Sequence, residues 1–235
     1  MFNPDAKVER ITLEGERPCL VIDGFLRDPE SWIARAEAFQ SHFVAPHGNA
    51  YPGHELRMPD EISQMFADAL QPLFAEYFAI GEILDSYSRL SMVTRPPVSL
   101  EPRQWICHRD RLRVAPGRMA VASVLYLFKD PALGGTKLFR PRQDAAATDL
   151  LVHDSCTMDA EAFSAKYGLQ SSYMTASNAY FEQIHEIPAK WNRLVVYDGM
   201  IFHSGDIRHP GRLSAEPRQG RLSLNGFFTG RTALS

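Results

Sequence analysis

From Leu84 to Phe228 the apolar residues come in short runs, and turn-forming pairs close one run after another: Pro96-Pro97, Pro116-Gly117, Gly134-Gly135 and Asp198-Gly199. Gly and Pro at such places break helices and set tight reversals. The runs predict strands over residues 84–94, 105–114, 119–128, 136–139, 193–197, 201–203 and 221–228. Many short strands with Gly/Pro turns build a sandwich or a small barrel, so this part is expected to be mainly β.

The first 80 residues read differently. Residues 19–25 (CLVIDGF) form a buried strand closed by Asp23-Gly24. Asp28-Pro29-Glu30 then supplies a cap, a proline for the first turn and an acid at the positive end of a helix. That helix runs to about Gln40, with Trp32, Ile33, Ala36 and Phe39 as its apolar stripe. Residues 46–59 carry Pro46, Gly48, Pro52-Gly53 and Pro59 and read as a loop. A second amphipathic helix over residues 60–78 presents Ile62, Met65, Phe66, Leu70, Leu73, Phe74 and Tyr77. Between Pro141 and Lys190 the pattern is weak: a short helix over 159–167, the rest polar loops of the kind that cover a site as a lid. The expectation is one domain over residues 1–235, with helical support over about 1–80 and a β core over about 84–235. At 235 residues and 45% apolar composition, such a core needs no staple.

Charge and cysteine usage narrow the class. A net charge of −3 gives no basic footprint for nucleic acid. Cys19, Cys107 and Cys156 are odd in number and widely spaced, neither a disulfide framework nor a CxxC site, and suggest a reducing cytoplasm. The polar start, Met1 to Arg10, is no secretory core, and the apolar runs fall short of the ~18 residues of a membrane span. The partner expected is a small molecule or a peptide, with neither nucleic acid nor membrane.

His108-Arg109-Asp110 carries the chemistry. In a strand, residues two apart share a face, so His108 and Asp110 can reach one metal. A second histidine would complete a two-His, one-carboxylate triad, the donor set of non-haem Fe(II) sites with open positions. With 8 histidines and 28 acids in 235 residues, about one His-x-acid arises by chance. What gives the motif weight is the order behind it. VASVLYLF (121–128) is followed by Gly134-Gly135, then by LVVYDGMIFH (194–203), a strand, an Asp-Gly turn and a short strand ending on His203. Gly220-Arg221 opens a last strand in which Leu222, Leu224 and Gly226 alternate with Arg221, Ser223 and Asn225.

With those residues in that order, the run from Gln104 to Phe228 resembles the 2-oxoglutarate and Fe(II)-dependent oxygenases, in the prolyl-hydroxylase-like branch. That family runs from His-x-Asp through a strand ending in Tyr-Leu, a Gly-Gly turn and a distal His to an Arg or Lys that opens the last strand. CLVIDGFLRDPESW (19–32) resembles the strand–helix entry of the same branch. The resemblance implies a double-stranded β-helix, a jelly-roll or cupin-like core preceded by helices. It implies His108, Asp110 and His203 as ligands of Fe(II), and Arg221 as the partner of the distal carboxylate of 2-oxoglutarate. Tyr126 matches a position that often hydrogen-bonds the same carboxylate. The reaction implied is hydroxylation with release of succinate and CO2. Related halogenases replace the carboxylate by a small residue; Asp110 is present here.

The chain departs from the family pattern in two places. The anchoring base usually lies closer to the distal His, and here Arg212 is nine residues past His203 while Arg221 is eighteen. Arg221 opens an apolar strand, whereas Arg212 sits between Pro210-Gly211 and Pro217 in a loop, which favours Arg221. The turn reads GGTKLF where the family more often has an acid and a threonine, a change in pocket shape rather than in ligands.

Other readings compete. His108 and His203, each taken alone, are most simply hydrogen-bonded core histidines. His153 and His185 read as surface residues, and His42, His47 and His54 as loop residues. Strand alternation turns Arg109, Arg111 and Arg113 away from the side of His108 and Asp110, so they read as a solvated or interface face. The same barrel also serves as a metal-binding cupin without 2-oxoglutarate, an isomerase or a sugar-binding module. Arg221 discriminates, because a cupin has no need of a buried base opposite its metal.

Overall fold

The computed structural model describes residues 1–13, 15, 17–46, 48–110 and 114–233. Two antiparallel sheets form the centre. The larger has seven strands in the order β1 (Lys7–Thr12), β2 (Pro18–Asp23), β8 (Arg193–Asp198), β5 (Arg118–Tyr126), β10 (Arg221–Thr232), β4 (Ile80–Val93) and β3 (Gly53–Arg57). The smaller has the order β7 (Phe181–Ile187), β6 (Thr136–Pro141) and β9 (Phe202–Gly205).

Alternation along the strands decides the layers. Ile22, Leu90, Met92, Leu125, Leu194, Val196, Leu222 and Leu224 face outward from the large sheet and pack on α1 (Glu30–Ala38) and α2 (Asp60–Phe78). Their neighbours Val21, Ala122, Tyr126, Val195 and Tyr197 face inward and meet Leu138 and Ile187 of the small sheet. Phe139, Phe181 and Phe202 point out of the small sheet into a third cluster. This cluster holds Trp105 of α3 (Pro102–Trp105), Leu151 of α4 (Ala145–Thr157) and Phe163 of α5 (Ala160–Tyr167). The molecule is thus mainly β, a sandwich with helices on both outer faces.

Helix α2 fills the span its periodicity predicts. Phe66 is 2% exposed and its ring meets those of Phe2, Phe25 and Trp32. Two residues assigned to the apolar stripes sit elsewhere: Met65 and Phe39 are exposed, because each falls just outside the arc that touches the sheet.

Several expectations need correction. The run 105–114 is not a continuous strand. It starts as the end of α3, its described part joins a sheet through one bridge, His108 to His203, and Arg111 to Arg113 lie outside the described residues. The loop expected over 46–59 contains β3, which pairs with β4 from Gly53↔Val93 to Arg57↔Arg89. Gly53 is required there, since a Cβ would stand 1.9 Å from the Met92 carbonyl oxygen. Strand β1 was not anticipated; its charged residues line an exposed edge that β2 alone holds. Residues 141–190 also hold more structure than polar loops. Helix α4 is capped by the Asp144 side chain accepting from the Ala147 amide, and β7 pairs along β6.

Phe66→Ala removes the ring that joins both helices to the N-terminal segment. We expect a loss of about 3–5 kcal/mol in urea unfolding. A loss below about 1 kcal/mol would mean that the large sheet does not depend on α2.

Candidate functional site

The small sheet gains a fourth, very short member where it matters. His108 and His203 exchange backbone hydrogen bonds, His108 N–H to His203 O at 2.9 Å and His203 N–H to His108 O at 2.7 Å. Such a pair places two residues directly opposite each other with side chains on one face. Two residues on, the Asp110 amide donates to the Gly199 carbonyl at 2.9 Å, so the Asp198-Gly199 turn holds Asp110 on the same face. Asp110 Oδ1 then stands 3.7 Å from His203 Nε2 and 4.0 Å from His108 Nε2. One donor atom from each of the three lies within 4.8 Å of the others, a spacing that one ion can bridge.

The surroundings suit a neutral imidazole at His108. Loss of water, helped by His203 and Arg89, holds the His108 ring well below the usual histidine range. His203 is 7% exposed, and its Nδ1 lies 3.0 Å from the Ile201 carbonyl oxygen. That contact fixes the ring orientation and turns Nε2 toward Asp110. Tyr197 backs the same ring at 4.9 Å; burial and the Asp110 charge raise its hydroxyl well above the usual tyrosine range.

One cavity between the sheets is lined by His108, Asp110, His203 and, further along β10, Arg221. Arg221 is 4% exposed and forms no ion pair among the described residues. Its Nε donates to the Gly134 carbonyl at 3.0 Å and its Nη2 to the Gly135 carbonyl at 2.8 Å. The Gly-Gly turn is therefore the seat of the guanidinium. Gly134 has φ +86, and a Cβ there would lie 1.9 Å from the Asp206 carbonyl oxygen. Tyr126 and Phe128 rings flank the same cation at 6.0 and 5.6 Å. A buried cation held by neutral carbonyls is costly, and an anion in the cavity offsets that cost.

The remaining candidates fall elsewhere. Tyr126 is fully buried, is not part of the cavity lining, and donates its hydroxyl to Thr136 Oγ1 at 2.8 Å; Thr136 is the residue that reaches the cavity. Arg212 lies at the surface in an ion pair with Asp130. Arg109 does point away from the triad, as alternation requires, yet it is not solvated: it stacks on Phe202 at 5.1 Å and pairs with Asp149 of α4. Arg111, Arg113 and His47 lie outside the described residues. His153 is exposed, His185 lies half-buried on β7, and His54 Nδ1 contacts Thr94 Oγ1.

Sequence reasoning missed part of the lining. Tyr51, Arg89, Asn225 and Ser223 line the cavity, as do Tyr173 and Met174 from the 141–190 segment. The Tyr51 hydroxyl is buried beside Ser223, and burial pushes it up to about 12. The wall at 173–174 is fixed, with Ser204 Oγ donating to the Met174 carbonyl and the Tyr173 hydroxyl to the Arg95 carbonyl. For Arg89 a signal existed. Tyr87, Arg89, Ser91 and Val93 form the polar-leaning face of β4 and lie opposite Phe227, Asn225, Ser223 and Arg221 of β10. Tyr51 sits between Pro and Gly residues in a stretch with no period to read.

No curated protein sequence matches the chain. Among solved structures it is similar to a prolyl-4-hydroxylase of Pseudomonas putida (15% identity, 92% of this chain and 94% of that one, TM-score 0.49). It is also similar to HygX of Streptomyces hygroscopicus with nickel and 2-oxoglutarate bound (12% identity, 92% and 84%, TM-score 0.47). A third is the non-haem α-ketoglutarate-dependent epimerase SnoN from nogalamycin biosynthesis (14% identity, 92% and 82%, TM-score 0.46). A family model described as "Family of unknown function (DUF6445)" matches residues 3–228, and the chain belongs to that family.

Proposed function

We propose that the chain is a non-haem Fe(II)- and 2-oxoglutarate-dependent dioxygenase that hydroxylates its substrate, built on a double-stranded β-helix core. The observation that carries this reading is that a two-His, one-carboxylate donor set and a buried arginine with no acidic partner among the described residues line one cavity. The donor set suits Fe(II): two imidazoles and one carboxylate bind one face of an octahedron and leave three positions open. A cupin without 2-oxoglutarate would have no use for the buried cation.

Each residue then has a task. His108, Asp110 and His203 hold the metal, with the Ile201 carbonyl orienting the second imidazole. Arg221 holds the distal carboxylate of 2-oxoglutarate, its fork already aligned by the two glycine carbonyls. Tyr51 offers its hydroxyl to the same ligand, since it lines the same cavity as Arg221. Tyr126 supports this end indirectly, through Thr136. Bound Fe(II) and 2-oxoglutarate supply the oxidation, with succinate and CO2 as co-products. Met174 and Tyr173 close the side of the cavity and keep water from it, the role expected of the 141–190 segment. No helix among the described residues is long and apolar enough to cross a membrane.

The test is release of labelled CO2 from 2-oxoglutarate by the purified chain under air. We expect slow turnover that requires Fe(II) and is lost in His108→Ala and His203→Ala. A chain that holds iron but never consumes 2-oxoglutarate would contradict the proposal.

Arg221→Ala should weaken 2-oxoglutarate binding to the metal-loaded chain by about a hundredfold, the effect of one lost charged bidentate contact, with metal affinity kept. Arg212→Ala should change neither. Gly134→Ala should follow Arg221→Ala in calorimetric titration, because it displaces the seat of the guanidinium. A Gly134→Ala chain that is folded and binds 2-oxoglutarate normally would refute that coupling.

A further inference from the structure

The cavity has a second arginine, at its mouth. Arg89 on β4 lines both the inner cavity and the vestibule beside His108 and Asp110. It is four residues along β4 from Val93, the register partner of Arg221. At ~3.3 Å per residue that is roughly 13 Å along the strand. Arg221 and Arg89 thus mark the two ends of one polar sheet face, and the vestibule that Arg89 shares with His108 and Asp110 sets it on the metal-triad side.

The state of its guanidinium is informative. One terminal nitrogen, Nη1, meets Glu55 Oε1 at 2.8 Å. Nε is buried and has no partner among the described residues. The edge made by Nε and Nη2, one of the two that grip a carboxylate through parallel hydrogen bonds, thus carries an unmet donor at Nε. The plane is held by the rings of Tyr51 at 5.5 Å and Phe227 at 5.0 Å, so little rotamer freedom is lost on binding. Directly across the register lies Asn225, 7% exposed, whose Oδ1 is also buried and unpartnered among the described residues. Two unmet polar groups side by side, facing a cavity, are unusual in a native interior and point to a ligand. Tyr87 and Phe227, stacked at 5.8 Å, add an apolar wall next to them.

We propose that Arg89 is the specificity-determining residue of a substrate subsite at this mouth, and that the substrate carries a carboxylate. Arg89 grips the carboxylate through its Nε–Nη2 edge, Asn225 accepts from a neighbouring N–H or O–H, and the Tyr87–Phe227 wall takes an apolar body. Arg89 keeps Glu55 as its counter-ion, which holds the guanidinium in place between turnovers. This inference rests on the dioxygenase reading of the same site.

The test uses the full chain loaded anaerobically with Mn(II) and 2-oxoglutarate. Two matched pairs are titrated by calorimetry: 3-phenylpropionate with its amide, and N-acetylphenylalanine with its amide. We expect each acid to bind about tenfold or more tighter than its amide. Arg89→Lys, which keeps a charge for Glu55 but lacks the planar fork, should bring that ratio close to one. Should Arg89→Gln leave Glu55 stranded and unfold the chain, Arg89→Gln combined with Glu55→Gln removes both charges and should give the same ratio. Acid and amide binding alike, neither binding, or a preference that survives in the variants would each overturn the inference. A chain that fails to hold Mn(II) and 2-oxoglutarate at the outset would instead sink the dioxygenase reading on which it rests.

Discussion

Two backbone hydrogen bonds between His108 and His203 organise the site. Residues 106–110 have no long partner strand; this one bridge holds them to the small sheet, and the Asp110–Gly199 contact to the turn that follows β8. Because the pair is directly opposed and antiparallel, both imidazoles must emerge on the inner face, their rings 4.4 Å apart. The next inward residue is Asp110, and the period of two brings its carboxylate under both rings. The outward residues of the same stretch, Arg109 and Phe202, stack on each other and tie this edge to α4. The triad thus follows from sheet geometry, with packing on the opposite face keeping it rigid.

The second constraint is electrostatic. A guanidinium 4% exposed with only neutral acceptors is poorly compensated. The fold accepts this because Gly134 and Gly135 approach so closely that no side chain fits between them and the neighbouring backbone. The buried charge and the His108, Asp110 and His203 side chains line the same cavity. A protein that merely bound a metal would gain stability by replacing Arg221 with an apolar residue.

Much of this was legible in the sequence, and the exceptions have physical reasons. Helix α2 stands out because one face is buried, and strands β5, β8 and β10 because burial on both faces makes them apolar runs. Helix α4 and strand β7 were missed. α4 buries few apolar residues, Leu151 the largest, and β7 is half-exposed with Glu182, Gln183 and His185 along it. The His108 segment was read as a full strand because the motif alternates, although only one of its residues bridges to the sheet. In the cavity, Arg221 was readable because it opens an apolar strand. For Arg89 the signal is the alternating polar face it shares with Tyr87 and Ser91, which looks like an ordinary solvated face until β10 is laid beside it. Tyr126 rests on the family resemblance alone, and its hydroxyl is taken by Thr136, a cross-layer contact that no local pattern encodes.

The most direct measurement is the visible spectrum of the chain titrated anaerobically with Fe(II) and then 2-oxoglutarate. A weak charge-transfer band belongs to a keto acid chelated to ferrous iron and to neither component alone. The account predicts this band for the unaltered chain, its absence in His203→Ala, and a higher 2-oxoglutarate requirement in Arg221→Ala. Tight iron binding with no band at any 2-oxoglutarate concentration would contradict it and leave a metal site without the proposed co-substrate.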